Sequence, residues 1–224
     1  MSYSAIYRGA SAINEAMGRV YFYMMTAVLN SFAVSYLVSS NKALMAFLFG
    51  PIVSWIVILA PVALAFIIPS LIERASKATA LAWMHVFAAV MGLSMSAVFA
   101  VYTGLSIFSA FIGAAVLFGV MSAYGYFTKT NLDTVGKYAF VALIAIIIVS
   151  IINLFIGSSV LQMVISAIAI LVFLALTAYD TQTIREMVSV DDNGNAEVLG
   201  AVTLYLDFIN IFVNLLQLFG SKED

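Results

Sequence analysis

Two aspartates carry most of the chemistry that this sequence can offer. Asp207 is the single charged side chain in LGAVTLYLDFINIFVNLLQLFG, the stretch from Leu199 to Gly220. A carboxylate near the middle of a bilayer-spanning helix costs on the order of 2–3 kcal/mol on insertion scales, so it has to face protein, water or a partner. Asp180 lies in the preceding apolar segment, in the string LALTAYDTQ. Two carboxylates that meet in such a setting cannot both ionise freely, and they titrate as a unit. That is the chemistry of a proton sensor or a proton carrier.

The neighbours of these aspartates extend the pattern. Thr203, Asp207, Asn210, Asn214 and Gln217 are spaced by four, three, four and three residues, which puts all five on one helical face. In a bilayer a polar stripe of this kind looks into the bundle or into a cavity. It either holds helices together through hydrogen bonds or lines a path for water and ions. The carboxylate favours the path, with the stripe as its pore-lining face. Thr177, Asp180 and Thr181 share a face of the preceding segment. Asp180 can pair with Asp207, or it can be an interfacial aspartate that pairs with Arg185 or Lys137. Arg74, in LIERASK, is the obvious counter-charge for Asp180; its alternative is an anchoring role at the membrane surface, the role expected of Lys77.

Other polar residues read as structural. His85, Asn30 and Asn153 are expected to be hydrogen-bonded packing residues between helices. The acidic segment EMVSVDDNGNAE, from Glu186 to Glu197, contains DDNGN but lacks the ligand spacing of an EF-hand, and it reads as a solvated turn. With no cysteine and one histidine, disulfides, thiol nucleophiles and multi-histidine metal sites are excluded within the chain. There is no nucleophile–base pair, phosphate loop or metal-ligand cluster, so an enzyme is not expected and no cofactor is implied. No basic patch suits nucleic acid.

The elements that position these residues are membrane spans. The chain is 64% hydrophobic and 9% charged, against about 25% charged in a typical soluble domain. Apolar runs long enough for a core of about 30 Å occur at about 20–40, 46–72, 79–102, 106–127, 137–156, 160–184 and 198–219. The second contains Pro51, Pro61 and Pro69, which predicts a kinked, tilted or partly external segment. The connections are short, so one domain over residues 1–224 is expected, with a polar cytoplasmic segment at 1–19 and no cleavable signal. Small residues four apart, Gly92, Ser96 and Ala100 on the third span and Ala115, Gly119 and Ala123 on the fourth, predict close helix packing. Arg8, Arg19, Arg74, Lys77, Lys129, Lys137 and Arg185 fall on one side of alternating spans, and Lys42 and Lys222 on the other. This bias predicts a cytoplasmic N-terminus and an external C-terminus.

AYDTQ around Asp180, TLYLDFINIF around Asp207 and YGYFTKTNLD at the end of the fourth span resemble the Bax inhibitor-1 family, the transmembrane Bax-inhibitor-motif proteins, over essentially the whole chain. The resemblance implies an all-α membrane fold of seven helices with the last one central. It implies a pH-sensitive calcium leak with Asp180 and Asp207 as the proton sensor and as weak, transient ligands of the passing Ca²⁺. It implies that Arg74 latches to Asp180. The resemblance to bacterial members suggests a monomer in a bacterial inner membrane, with a membrane AAA protease as a conceivable partner. Only Ser221, Lys222, Glu223 and Asp224 follow the last span, so regulation by a charged tail is not expected. A proton-coupled cation antiporter using the same carboxylates, and a non-transporting regulator, are the competing readings.

Overall fold

In hydrocarbon, every backbone N–H and C=O has to be satisfied by protein, and an α-helix does so within a single segment. The computed structural model describes residues 9–191 and 193–223 and is all-helical apart from its connections and one isolated bridge between Tyr102 and Lys222. The helices are α1 (Ala10–Ser39), α2 (Lys42–Leu48), α3 (Val53–Glu73), α4 (Lys77–Val101), α5 (Gly104–Phe127), α6 (Asp133–Ile156), α7 (Ser159–Val190) and α8 (Asn195–Phe219). All except α2 are long and apolar enough to cross a bilayer, giving the seven expected spans. Arg8, Asp192 and Asp224 lie outside the described residues.

The helix ends differ from those expected, for local reasons. The first helix starts at Ala10, because polar residues such as Asn14, Glu15 and Arg19 continue a helix beyond its apolar part. The long second run is two helices. Gly50 and Pro51 separate them, and Asn41 Oδ1 caps α2 by accepting from the Leu44 backbone N at 3.1 Å. Pro61 and Pro69 lie inside α3. Helix α7 continues to Val190, through residues expected in a turn. The actual turn is short: Asp191 accepts from Asn193 N and Ala196 N, both at 3.2 Å, and Gly194 supplies the left-handed φ of +76°.

The helices form two compact units. The first contains α1–α4 with Ile184–Tyr205. There α1 and α4 touch backbone to backbone: Ser31 Oγ and Ser35 Oγ donate to the carbonyls of Ala88 and Gly92 at 2.8 and 2.9 Å. A Cβ on Gly92 would stand 2.6 Å from the Ser31 carbonyl oxygen, so only glycine permits this approach. Asn30 Nδ2 also crosses between these helices, donating to the His85 backbone carbonyl at 2.9 Å and lying 3.5 Å from Nδ1 of its ring.

The second unit contains α5, α6, α7 up to Thr183 and α8 from Leu206. Phe208 of α8 packs edge-on against Phe111 and Phe118 of α5, at 5.5 and 5.9 Å. The face of α5 that is buried carries Ala110, Ala114, Phe118, Ser122 and Gly125. Ala115, Gly119 and Ala123 are exposed instead, so the small-residue face predicted for this span is not a packing face. Asn153 bonds around the left-handed Gly157, accepting from Ser158 N and donating to the Ser158 carbonyl, both at 3.2 Å. It also donates to Gln162 of α7 at 3.2 Å.

Burial ranks the spans. In α8, 61% of the most apolar stretch is buried, against 11–39% in the other six. The others present Leu, Ile, Val and Phe outward, for example Phe140, Val141 and Ile148 on α6. Such surface is sticky in water and suits lipid.

Candidate functional site

The site is built in the second unit on one turn of α7 and one turn of α8. Helix α7 is gripped around Asp180 by neighbours on several sides. Thr181 shares a hydrogen bond of 3.0 Å with Ser122 of α5. A Cβ on Gly125 would collide with the Ala178 backbone, and one on Gly136 would reach within 2.5 Å of the Tyr179 ring. One residue further on, Gln182 holds the α5–α6 connection, accepting from Leu132 N at 2.8 Å and donating to the Thr130 carbonyl at 3.0 Å.

Against this fixed turn stands Asp207, 3% exposed. The Asp180 carboxyl and the Thr177 hydroxyl both lie within side-chain hydrogen-bonding reach of its carboxyl. Even so, Asp207 Oδ2 is buried and meets no donor among the described residues. The two observations agree. Facing carboxylates are both acceptors, so they form a hydrogen bond only when one of them carries a proton. Thr177 Oγ1 also lies 2.7 Å from the Phe173 carbonyl oxygen, so its one hydroxyl hydrogen serves either that carbonyl or Asp207. Two facing carboxyls with one hydroxyl between two acceptors have fewer hydrogens than acceptors unless one carboxyl is protonated.

The rest of the α8 stripe behaves differently from a set of interhelical bonds. Thr203 Oγ1 donates to the Leu199 carbonyl at 3.2 Å, Asn210 Nδ2 to Leu206 and Asn214 Nδ2 to Asn210, both at 2.8 Å. All three bond back to their own helix. Gln217, at the exposed end, does bridge helices: its Oε1 accepts from Gln162 Nε2 at 2.8 Å and from Ser166 Oγ at 2.9 Å. Arg74 is the exposed residue that caps the C-terminus of α3 in the first unit.

This geometry belongs to a recognisable sequence. The model of the family described as "Inhibitor of apoptosis-promoting Bax1" matches residues 13–224. The chain belongs to the Bax inhibitor-1 family. It is 36% identical over 226 residues to the inner membrane protein YbhL of Escherichia coli K12, covering 98% of this chain and 97% of that one. An uncharacterized protein of Deinococcus radiodurans is 36% identical over 94% of this chain and 92% of its own length. One from Rickettsia prowazekii is 35% identical, over 95% and 92%. This family member is therefore a multi-pass membrane protein with relatives of its own length.

A second buried carboxylate escaped the sequence reading. Glu197, assigned above to a solvated turn, is 1% exposed in the first turn of α8. Arg19 of α1 donates to both of its oxygens, at 2.8 and 2.7 Å, and Lys77 of α4 donates to Oε2 at 2.7 Å. Lys77 also lies 5.6 Å from the centroid of the Tyr23 ring, so it is a pairing residue and not only a surface anchor. The signal in the sequence was the placement of Glu197 beside an apolar run. Its two partners, 178 and 120 residues away, gave no local hint.

Proposed function

We propose that this protein is a pH-sensitive calcium leak channel of the membrane, gated by protonation of the Asp180–Asp207 pair. The observation that carries this reading is the buried Asp207 carboxyl, whose polar neighbours are a second carboxyl and a single hydroxyl, with no cation among them. Two facing carboxyls titrate as a unit and respond to the supply of protons. Calcium prefers six to eight oxygen ligands. The two carboxylates, threonine and asparagine oxygens and water offer a weak, transient set, and conduction requires weak binding.

In this reading Arg74 pairs with ionised Asp180 in the closed form. Acid delivers the shared proton, weakens that pairing and favours opening. The membrane is a bacterial inner membrane, in keeping with the name of the relative YbhL; the protein acts there as a monomer with its N-terminus in the cytoplasm, the orientation that the bias in basic residues favours. The test is calcium uptake into liposomes that contain the purified protein, measured at two pH values. Uptake that rises in acid without an opposing proton gradient supports the leak. Uptake that requires that gradient reassigns the same carboxylates to antiport, and no uptake at either pH leaves a regulatory role, with a membrane AAA protease as the partner to examine.

A further inference from the structure

Four of the five residues in the string AYDTQ of α7 are held by α5, α6 or the connection between them. The helical period places Ala178 and Gln182 on the face opposite Asp180, with Tyr179 and Thr181 on its two flanks. Ala178 lies against Gly125 and Tyr179 against Gly136, where a Cβ would collide in each case. Thr181 shares its 3.0 Å hydrogen bond with Ser122. Gln182 makes the most directional of these contacts. Its Oε1 accepts from Leu132 N at 2.8 Å, and its Nε2 donates to the Thr130 carbonyl at 3.0 Å. One amide thus bonds a backbone donor and a backbone acceptor of the same connection, and the two bonds together fix its orientation.

Proton sharing between carboxyls is short-ranged. An O–H···O⁻ hydrogen bond spans about 2.5–2.7 Å and weakens steeply away from that geometry. A side chain at the outer radius of a helix, about 5–6 Å from its axis, moves by about 1 Å when the helix turns by about 10°. Asp180 and Asp207 therefore share a proton only while α7 keeps its rotation and its height. Packing at Ala178 and Tyr179 and one bond at Thr181 resist rotation. Gln182 holds two backbone groups at once, which fixes the height as well. The titratable groups on the elements around the pair are Tyr124 and Tyr126 on α5, Lys129, Asp133, Lys137 and Tyr138 on the connection and α6, Tyr179 and Arg185 on α7, and Asp207 itself on α8 from Leu206 onward. The charged ones other than the pair are all exposed.

We infer that Gln182 is a positioning residue of the proton sensor: by clamping the backbone of Thr130 and Leu132 it sets the height and rotation of α7 at which Asp180 meets Asp207. The inference deepens the reading of the aspartate pair as a proton sensor, on which it rests, and it does not depend on which ion the protein moves. It also accounts for AYDTQ as a unit, with one sensing residue and four that seat it.

Infrared difference spectra of the protein in liposomes follow the carboxyl C=O band of the pair, assigned by its change in Asp207→Asn, through a pH titration. A coupled pair separates its two proton losses by more than about one pH unit. Gln182→Met, which keeps the side-chain length and removes both bonds, should narrow that separation by at least about half a unit. It should also speed hydrogen exchange over residues 130–132 by about tenfold, the factor for one net hydrogen bond. Gln182→Asn, one methylene short of both partners, should show the same change to a lesser degree and serves if the methionine variant fails to fold. Ser35→Ala, which removes a buried bond between α1 and α4, controls for lost stability and should titrate like the unaltered chain. An unchanged separation in Gln182→Met overturns the inference, and so does an equal change in Ser35→Ala. Calcium uptake is measured in parallel. A narrowed titration in Gln182→Met without uptake by the unaltered chain sinks the leak and leaves the positioning role. Uptake with the same pH response in Gln182→Met and the unaltered chain sinks the positioning role and leaves the leak. A single uncoupled step in the unaltered chain overturns the shared-proton sensor and the positioning role together.

Discussion

Glu197 and Asp207 are both buried on α8, ten residues apart, and their surroundings have opposite character. Glu197 receives three charge-assisted hydrogen bonds from Arg19 and Lys77. Asp207 faces another carboxyl and a hydroxyl. One carboxylate is held ionised by two cations, which suits a fixed anchor. The other has no cation beside it among these contacts, which suits a group that gains and loses a proton.

The anchor predicts a stability loss. Glu197→Gln removes the charge that Arg19 and Lys77 share. Breaking a fully buried pair costs about 3–5 kcal/mol. Here the side chains of Arg19 and Lys77 are 41% and 36% exposed, so solvent screening lowers the expected loss to about 2 kcal/mol. Thermal unfolding in detergent should show a clearly lowered midpoint. Glu15→Gln, at an exposed carboxylate 3.9 Å from Arg19, should change stability by no more than about 0.5 kcal/mol. Equal midpoints for the two variants would remove the anchor.

Glycine contacts separate packing from lipid-facing surface. Gly125→Ala drives a methyl group into the Ala178 backbone, and Gly136→Ala drives one into the Tyr179 ring. Overpacking of this kind costs about 1–3 kcal/mol. Gly119→Ala meets nothing within 4 Å and should be neutral or slightly stabilising, because alanine favours helix by about 1 kcal/mol over glycine. Yield of monodisperse protein and its unfolding midpoint check the series.

For gating, Asp207→Asn fixes a neutral group in place of the proton-sharing carboxyl, and flux should lose most of its response to pH. Asp180→Asn mimics the protonated state and should give high or pH-insensitive flux. Arg74→Ala should leak at neutral pH. Wild-type flux and wild-type pH dependence in Arg74→Ala would remove the latch and leave the aspartate pair untouched.

Orientation is checked by fusions. A reporter after Asp224 should register outside the cytoplasm, and one inserted near Gly194 should register inside. Activity of a cytoplasmic reporter at the C-terminus would contradict the orientation deduced from the basic residues.

The sequence by itself determined the membrane class, the seven spans and the two aspartates. Apolar length is a local property, and hydrocarbon leaves a helix few alternatives. A lone Asp207 in a 22-residue apolar stretch is likewise conspicuous without a structure. Tertiary structure decided where the helices end, and with that how the aspartates meet. Asp180 lies ten residues before the end of α7 and Asp207 twelve after the start of α8. The short turn between them thus brings the two to within about 3 Å of equal depth by helical rise, closer than the apolar boundaries alone suggested. Structure also decided which small residues pack. Gly125 and Gly119 look alike in sequence, and only the neighbouring backbone distinguishes them. It reassigned Glu197 from a solvated turn to a buried anchor, because the cations that make its burial tolerable come from α1 and α4. Contacts between residues more than a hundred positions apart leave no periodic trace in a sequence, whereas the apolar runs that force the helices do.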